Sequence, residues 1–575
     1  MAYRVEQNQL TGEQEIMIDG WERGIADSPH LGLADMRNVN IDSNPGIAFC
    51  NYRLGAVTQT PIVTKAFTAS VAGSSITWTG TALLAGKAIT FAGADLPDPL
   101  VAGTIYYTGA AGNTTTLFSK NDPWALENTA VTLTDTGSGT MTFSTVNMGI
   151  PKDYCVDQLI NYVIDSNGRV WWFDYHASWV PFNQTSLGAG EGLAVYKKFL
   201  FVFRSTNLDY LPMTAGASWV DGWKTPIASS YHHAKWCQDN ILYFCNGNYI
   251  GSINQSGVET NIATYTFNGT AQVLPTNESA SWFEEHIINL IIGTSTSNLL
   301  YMWDRTSTSY IVPLPLPEIG TYKLLNINRI VYILAGQRGN IYYTNGSSVT
   351  LFKTLPKYCT GVPYPLITWG GIMSLNNNLC FGVEAKNAET VAVVNGASGC
   401  WAITLAVGEL LNSIAGAIRY KGQPSAGKYN TTVLIPISDG ISYQAGWYDG
   451  TYGGMDLLTI GYPSTQFYSN YESYIETDII SIGTALQPRT FNTIEVKFDT
   501  PLIAGEKVRV KMRGDLKTSY STVFELTSAG GEIDANSSGS GVPIQLNKWM
   551  QFKVEIQTIA GSTRSYVRLK EVRIR

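Results

Sequence analysis

Leu159-Ile-Asn-Tyr-Val-Ile164 turns at Ser166-Asn-Gly168 into Val170-Trp-Trp-Phe173, and this strand–turn–strand unit recurs through residues 148–470. The units start about 35–50 residues apart, which is the spacing of four-stranded propeller blades. We therefore predict a propeller-like main domain of six or seven blades, with stacked β-sandwiches as the alternative. Further units include Leu193-Ala-Val-Tyr196 with Phe199-Leu-Phe-Val-Phe203, Ile241-Leu-Tyr-Phe244, Ile330-Val-Tyr-Ile-Leu334 with Ile341-Tyr-Tyr343, Leu379-Cys-Phe381 with Thr390-Val-Ala-Val-Val394, and Val433-Leu-Ile-Pro-Ile437.

The composition favours an all-β fold. Asp, Glu, Lys and Arg make up 14% of the 575 residues, against about 25% in an ordinary globular protein. The chain holds 55 Gly, 32 Tyr and 15 Trp; aromatic residues suit a pleated surface, and glycine suits its turns. Because 44% of the residues are hydrophobic, a large core is possible, and the composition excludes a coiled coil, a helical solenoid and a disordered chain.

Three further blocks accompany the propeller region. Residues 1–60 are predicted to form an N-terminal arm and the first strands of the main domain. Residues 61–147 hold only eight charged residues and are predicted to form a small inserted β domain that is dispensable for folding. Residues 471–575 alternate apolar and charged side chains, as in Lys507-Val-Arg-Val-Lys-Met-Arg513, and this pattern predicts a C-terminal β-sandwich.

The N-terminal arm is too apolar for a solvated tail. Turn signals divide residues 11–46 into segments too short to build a core of their own. Either the propeller of the same chain or the adjacent subunit of a ring must cover these side chains, and we predict that the arm is an assembly element. The predicted assembly residues are Trp21, Ile25, Leu33, Met36, Arg37, Val39 and Ile41.

The residues carry no recognisable catalytic motif. The net charge is −7 and no Lys/Arg run occurs, so a sequence-specific nucleic-acid binder is not expected. His232 and His233 are adjacent, and neighbours on a strand point to opposite faces and cannot share one metal ion. Seven scattered cysteines without a Cys-x-x-Cys pair predict free thiols. We predict a protein that is not an enzyme and has no catalytic residues, metal or cofactor.

One stretch resembles a known class of protein. Gly20-Trp-Glu-Arg-Gly-Ile-Ala-Asp-Ser-Pro-His-Leu-Gly-Leu-Ala-Asp-Met-Arg-Asn-Val-Asn-Ile41, followed by Pro45-Gly46, resembles the N-terminal arm of bacteriophage tail structural proteins. Leu96-Pro-Asp-Pro-Leu100 and Gly103-Thr-Ile-Tyr-Tyr107 resemble the small β modules of phage virion proteins. A propeller followed by a β-sandwich is similar to the tail hub or nozzle proteins of short-tailed phages.

The resemblance implies a structural virion protein, a nozzle or hub subunit that forms a ring around the DNA exit channel. It implies six copies per ring, contacts with other tail proteins such as an adaptor and fibres, and non-specific passage of genomic DNA. The protein would be assembled in the bacterial host cytoplasm and reside in the virion tail. Two alternatives remain: a receptor-binding tail protein that recognises a host surface glycan, and a propeller glycosidase. The longest apolar stretch, Ile287-Ile-Asn-Leu-Ile-Ile292, is too short to span a membrane.

Overall fold

The computed structural model describes residues 63–355 with short gaps, and elsewhere the strands with a few residues beside them. The gaps within that span are 84–85, 120–122, 125–128, 158–159, 174–178 and 185–186. The described ranges outside it are 3–7, 14–18, 35–37, 39–40, 49–50, 366–375, 378–387, 398–405, 414–418, 430–436, 443–448, 453–458, 473–477, 480–481, 489–491, 494–514, 519–526, 534–536, 544–546, 549–557, 559 and 567–574.

Five short strands lie before residue 51. Their bounds are β1 (Tyr3–Gln7), β2 (Gln14–Ile18), β3 (Asp35–Arg37), β4 (Val39–Asn40) and β5 (Phe49–Cys50). β1 pairs with β2, and β4 pairs with β5, both antiparallel.

The block after residue 60 closes into a barrel in the order β10-β7-β6-β11-β8-β9. Strands β7 and β10 alternate buried and less buried side chains, because successive residues of a strand point to opposite faces, whereas β9 is buried at every position. Phe67, Trp78, Phe91 and Phe143 fill its centre. The strands are β6 (Thr64–Ser70), β7 (Ser75–Trp78), β8 (Ala88–Ala92), β9 (Ile105–Thr108), β10 (Thr114–Phe118) and β11 (Thr142–Thr145).

Seven antiparallel sheets follow one another within the described residues of 151–458. The first is β12 (Pro151–Asp157), β13 (Ile160–Asp165), β14 (Val170–Phe173) and β15 (Val180–Pro181); the second is β16 (Gly190–Tyr196), β17 (Phe199–Arg204), β18 (Leu208–Pro212) and β19 (Val220–Lys224); the third is β20 (Ala234–Trp236), β21 (Leu242–Asn246), β22 (Tyr249–Gln255) and β23 (Tyr265–Val273), with a 3-10 turn at Ile262–Thr264.

The remaining sheets continue this order. The fourth is β24 (Ala280–His286), β25 (Asn289–Thr294), β26 (Leu299–Trp303) and β27 (Ile311–Pro315); the fifth is β28 (Thr321–Ile327), β29 (Ile330–Ala335), β30 (Asn340–Thr344) and β31 (Val349–Thr354); the sixth is β32 (Leu366–Leu375), β33 (Asn378–Lys386), β34 (Gly399–Thr404) and β35 (Ile414–Ile418); the seventh is β36 (Asn430–Pro436), β37 (Tyr443–Tyr448) and β38 (Gly453–Leu458).

The seven sheets form a closed propeller. Each packs on the next, and β36 of the seventh sheet contacts β12 of the first. The second strands are buried on both faces, as in Phe199–Arg204, because each sheet lies between two others. Buried side chains of the two end sheets form one cluster of Met148, Val163, Trp171, Phe173, Trp179, Val433, Ile435 and Met455. The predicted all-β chain with a propeller-like main domain, a small β domain and a C-terminal β-sandwich is confirmed.

The C-terminal strands build the sandwich from two sheets. One has the order β1-β2-β48-β42-β45, and the facing sheet contains β39, β47, β43 and β44. Ile16 and Ile18 of β2 are fully buried between them, beside Val572 and Val554. The strands are β39 (Ser473–Glu476), β40 (Ile480–Ser481), β41 (Arg489–Phe491), β42 (Ile494–Phe498), β43 (Lys507–Gly514), β44 (Ser521–Leu526), β45 (Asp534–Asn536), β46 (Ile544–Leu546), β47 (Trp549–Gln557) and β48 (Leu569–Ile574).

The short strand β3 connects the propeller to the sandwich. It pairs in parallel with β35 of the sixth sheet through Arg37 and Ala417, and antiparallel with β39 through Met36 and Ile475. The sixth sheet and one sheet of the sandwich therefore form a single ten-stranded sheet. We call this junction the β3 junction.

One feature differs from the domain prediction for residues 1–60. They are predicted to hold an N-terminal arm and the first strands of the main domain, but β1 and β2 lie in the sandwich, where Ile18 pairs with Val572. That the inserted block is dispensable for folding stays a prediction; Ile105 and Tyr107 of the barrel share a buried cluster with the first sheet. A local sequence pattern shows which face of a strand is apolar; it does not show which distant strand covers that face.

A double-mutant cycle should measure the coupling free energy between the first and seventh sheets, whose contact closes the ring. Asn161 Nδ2 of the first sheet donates to Gln444 Oε1 of the seventh across 2.8 Å, and both side chains are fully buried. Removing one partner of a buried pair costs about 1–3 kcal/mol. We expect Asn161→Leu and Gln444→Leu each to lower the free energy of unfolding, and the double variant to lose less than the sum. Strict additivity in urea denaturation would contradict a direct interaction across the joint.

Two hairpin turns offer a reciprocal test of backbone strain. Ile287 has a φ of +57° in the turn between β24 and β25, and Asn328 has a φ of +53° in the corresponding turn of the fifth sheet. A left-handed conformation costs a β-branched residue about 1–2 kcal/mol, and asparagine tolerates it better. We expect Ile287→Asn to raise the free energy of unfolding by about 1 kcal/mol and Asn328→Ile to lower it similarly. Shifts of the same sign in denaturant titrations would contradict this interpretation.

Deletion of residues 62–146 should destabilise the propeller. The deletion uncovers Tyr162, Trp172 and Phe182 of the first sheet's cluster and removes the hydrogen bond from the Tyr107 hydroxyl to the Pro181 carbonyl oxygen. We expect a lower melting temperature and stronger binding of a hydrophobic dye. Tyr107→Phe is the control, since it removes only the hydroxyl and should cost about 1 kcal/mol. A deletion variant that melts cooperatively at the temperature of the full chain would show that the shared cluster contributes nothing.

Candidate functional site: the propeller channel

The innermost strands of the seven sheets surround a cavity of about 390 Å³. Residues of β12, β16, β24, β28, β32 and β36 line it, together with β20 and the preceding His233. Since every sheet contributes, the cavity lies on the axis of the propeller. We call it the channel cavity.

The same irregularity recurs in four of these strands and positions the side chains. In each strand, one residue has no partner on the neighbouring strand. The residues without a partner are Lys152 in β12, Glu191 in β16, Ser281 in β24 and Tyr322 in β28, and they immediately precede Asp153, Gly192, Trp282 and Lys323. An extra unpaired residue of this kind is a β-bulge, which re-aims the side chains that follow. In the third sheet, His233 has the corresponding position immediately before β20, and its carbonyl oxygen accepts a hydrogen bond from the Cys245 amide.

The bulges and the alternation of side chains along each strand place the channel residues in two layers. Because side chains alternate along a strand, the residue after each bulge and the residue two positions later face the axis. The first layer is Asp153, Gly192, His233, Trp282 and Lys323, and the second is Cys155, Ala194, Lys235, Glu284 and Leu325. Gly192 is required by space, since a Cβ there would lie 1.9 Å from the His232 carbonyl oxygen.

Trp282 is the centre of the first layer. The His233 ring stacks on its indole with centroids 3.3 Å apart and planes 11° apart. The Lys323 ammonium lies 3.6 Å from the centroid of the same indole, and a cation is attracted to the face of an aromatic ring. The indole Nε1 donates to the Leu324 carbonyl oxygen at 3.0 Å, which fixes the ring.

Backbone amides already bind the Asp153 carboxylate. Oδ1 accepts from the Tyr154 amide at 3.0 Å, and Oδ2 accepts from the Leu193 amide at 3.3 Å. Oδ2 also lies 3.5 Å from Nδ1 of His233. Burial and the nearby Asp153 carboxylate raise the pKa of the Tyr154 hydroxyl, so this phenol stays protonated.

The two lysines of the channel differ in their partners. Lys235 donates to Glu284 Oε1 in the second layer; burial disfavours its charge, but the Glu284 carboxylate outweighs burial and raises its pKa. Lys323 has no carboxylate within ion-pair distance among the described residues, and burial lowers its pKa to about 8 although Asp153 opposes the shift. Lys323 is therefore the available cation of the channel.

This arrangement favours binding of an anion over acid–base hydrolysis of a sugar. A glycosidase needs one carboxyl group that donates a proton and a second that acts as base or nucleophile. Asp153 is bound by amides, and Glu284 is paired with Lys235. In the described part of the chain, no group of three His, Cys, Asp or Glu residues could hold a metal ion.

Of the predicted assembly residues, the structure describes Met36, Arg37 and Val39. Trp21, Ile25, Leu33 and Ile41 are outside the described residues. Met36 and Arg37 belong to β3, and their backbone pairs with Ile475 and Tyr474 of β39 at the β3 junction. Val39 belongs to β4 and pairs with Cys50. The structure thus brings Met36, Arg37 and Val39 to neighbouring strands of the same chain.

The channel residues were not brought together in the sequence analysis, where His233 was considered only as a metal ligand. Asp153, His233, Trp282 and Lys323 have different side chains, so no motif marks them. The available signal is positional: each residue stands at the same place relative to its hairpin, in units repeated about every 40–50 residues. Aligning the units on their hairpin turns would have placed these four residues in one layer.

Comparisons with known proteins give structural likenesses alone. No model of a protein family matches the chain, and no curated protein matches it. Among solved structures, the β-propeller domain of Cps50 (Swd1) from Myceliophteria thermophila is 10% identical, with a TM-score of 0.39 over 55% of this chain and 99% of that one. The computationally designed protein Ika8 is 13% identical, with a TM-score of 0.36 over 66% and 100% of the two chains.

A third similar structure is a streptogramin B lyase, which is 13% identical, with a TM-score of 0.32 over 56% of this chain and 94% of that one. None of these likenesses bears on function. In the part of the chain that the structure describes, we find no helix with the length and apolar character needed to cross a bilayer.

Acid should destabilise the propeller through His233. Burial lowers the pKa of His233, with Lys323 and Lys235 adding to the shift and Asp153 opposing it. The unfolded chain therefore takes up a proton more readily than the folded chain, and stability present above about pH 6.5 is lost as the pH falls. His233→Phe keeps a ring against Trp282 and cannot be protonated. We expect urea denaturation between pH 7.5 and 5.5 to show a smaller loss of stability for this variant, and an unchanged loss would contradict the assignment.

Proposed function

We propose that the protein is a structural subunit of a bacteriophage tail, a nozzle or hub protein that forms a ring with copies of itself around the DNA exit channel. The proposal starts from the resemblance of residues 20–41 to the N-terminal arm of phage tail proteins. It includes six copies per ring, contacts with an adaptor and fibres, and residence in the virion tail after assembly in the host cytoplasm. In this role the protein is not an enzyme.

The observation that carries the proposal is the position of β3. The segment that bears the resemblance contains β3, which pairs with both the sixth propeller sheet and the sandwich. One buried cluster continues from Trp369 and Phe381 of the sixth sheet to Val510 and Val554 of the sandwich. A segment that pairs with both domains suits a structural subunit better than a mobile recognition arm.

The size of the channel cavity restricts where DNA could pass. A cavity of 390 Å³ has the size of a small-molecule site, about 300–1,000 Å³, and Trp282, His233 and Lys323 line it. A DNA duplex cannot pass through the propeller of a single chain. Under this proposal, the exit channel is the lumen between copies, lined by their outer surfaces.

The test is electron microscopy of the purified chain together with a variant of the arm. Truncation of residues 1–46 would remove Ile16 and Ile18 from the sandwich core, so point substitutions are preferable. Trp21→Ser, Ile25→Ser and Leu33→Ser combined leave β1, β2 and β3 unchanged. We expect the natural chain to form rings with an open lumen, and the triple variant to remain monomeric with an unchanged melting temperature.

The matched control replaces apolar residues on the barrel surface. Val71 and Val101 are 41% and 58% exposed, and Val71→Ser with Val101→Ser should leave rings intact. Failure of the natural chain to form rings would contradict the nozzle assignment. Normal rings from the triple variant would contradict the assembly role of the arm while leaving the nozzle assignment standing.

Recognition of a host surface glycan is the second candidate, favoured by the channel cavity. Trp236 lines this cavity and is 43% exposed, and an exposed indole is a suitable platform for a sugar ring. Compact trimers and binding of the purified chain to host cell envelopes would favour this function over the nozzle. Release of sugar from those envelopes would instead indicate the glycosidase.

A further inference from the structure

We propose that the channel cavity binds a small sugar acid, whose carboxylate is held by Lys323. This inference goes beyond the tail role and does not depend on it. It assigns a ligand class to the channel cavity.

The first argument is the unmatched charge of Lys323. Its ammonium lies against Trp282, 3.6 Å from the ring centroid, and no carboxylate is within ion-pair distance among the described residues. A buried cation is costly unless it is paired. The cation–π contact compensates part of that cost, and a bound carboxylate would compensate the rest.

The carboxylates already present in the cavity are bound by other groups and do not form an ion pair with Lys323. The Asp153 carboxylate accepts from the amides of Tyr154 and Leu193 and lies beside His233. The Glu284 carboxylate is paired with Lys235. Two negative and two positive side chains therefore face the cavity. Lys235 is paired with Glu284, whereas Lys323 has no carboxylate of the cavity lining within ion-pair distance.

An uncharged polar atom points to a hydroxyl group on the ligand. Thr432 Oγ1 is buried without a hydrogen-bond partner among the described residues, and Thr432 lines the channel cavity. Buried polar groups nearly always have partners. A ligand with hydroxyl groups beside its carboxylate could satisfy this atom, whereas a fatty acid could not.

The volume and charge of the cavity define the ligand further. A volume of 390 Å³ is at the lower end of the range for small-molecule sites, about 300–1,000 Å³, and suits one or two sugar rings. A dianion such as phosphate would place its second charge near Asp153 and Glu284, and like charges at close range repel. We therefore expect a monocarboxylate to bind more tightly than inorganic phosphate.

The carboxylate could belong to a free sugar acid or to a uronate residue of a glycan. Trp236 is the exposed aromatic residue of the cavity, and its indole could stack on the next sugar of a glycan chain. The two sources share the same chemistry at Lys323. They differ in whether contacts outside the cavity add affinity.

The experiment is calorimetric titration of the full chain with D-glucuronate, D-glucose and inorganic phosphate. We expect glucuronate to bind at least about tenfold more tightly than glucose or phosphate, since a hydrogen bond to a charged group is worth that much. Lys323→Met retains packing on Trp282 and should weaken glucuronate binding by about tenfold or more. Lys323→Arg retains the charge and should bind glucuronate.

The control is Lys224→Met, because Lys224 also lies over an indole, 5.2 Å from the Trp223 centroid, but on the outer strand β19. It should bind glucuronate like the natural chain. Equal binding of glucose and glucuronate, or undiminished binding by a folded Lys323→Met variant, would overturn the proposal. So would the absence of glucuronate binding at millimolar concentration.

A uronate-containing tetrasaccharide separates the two sources. Tighter binding of the tetrasaccharide than of glucuronate, lost on Trp236→Ala, supports the site and indicates a glycan. Equal binding of the two probes supports the site and indicates a free sugar acid. Ring formation is measured independently in the microscope, so failure of this proposal leaves the tail role untouched.

Discussion

The non-covalent joint between the first and seventh sheets is the contact on which the propeller depends. A sheet that is apolar on both faces needs a neighbour on each side. In an open row of such sheets, the outer apolar face of the first sheet and that of the last sheet would remain exposed to water. Here the ends cover each other, with Val163 and Trp171 packing near Val433 and Met455. In the described residues, each of these two sheets comes from one continuous stretch of chain, so side-chain packing and the Asn161–Gln444 hydrogen bond hold the ring closed.

The channel chemistry is a consequence of that closure. Asp153, His233, Trp282 and Lys323 come from four different sheets and meet only because the inner strands converge on one axis. The bulges before Asp153, Trp282 and Lys323 bring these side chains into one layer. The ring thus brings polar residues of several sheets together at the place where seven edges meet.

The sequence predicted the repeated part of the structure well. Aromatic strand pairs separated by polar turns predicted the propeller, and the alternation in Lys507–Gly514 predicted the half-buried sheet. Both patterns are local, and hydrophobic periodicity records local burial. Pairing between distant strands produces no local sequence pattern. The pairing of β2 with β48, and that of β3 with both β35 and β39, were therefore not predictable. The channel layer was missed for the same reason, because a layer is a property of the closed ring.

The partnership of β2 with β48 has a consequence for folding during synthesis. Ile18 lies opposite Val572 and Arg37 lies opposite Tyr474, so one edge of each N-terminal strand has no partner until translation has passed the corresponding C-terminal residue. Contacts so distant in sequence form slowly, and unpaired strand edges favour aggregation meanwhile. The propeller sheets, each built from neighbouring strands, can form first. The sandwich is then the last part to form, and a ribosome stalled before residue 569 leaves β2 exposed to other nascent chains.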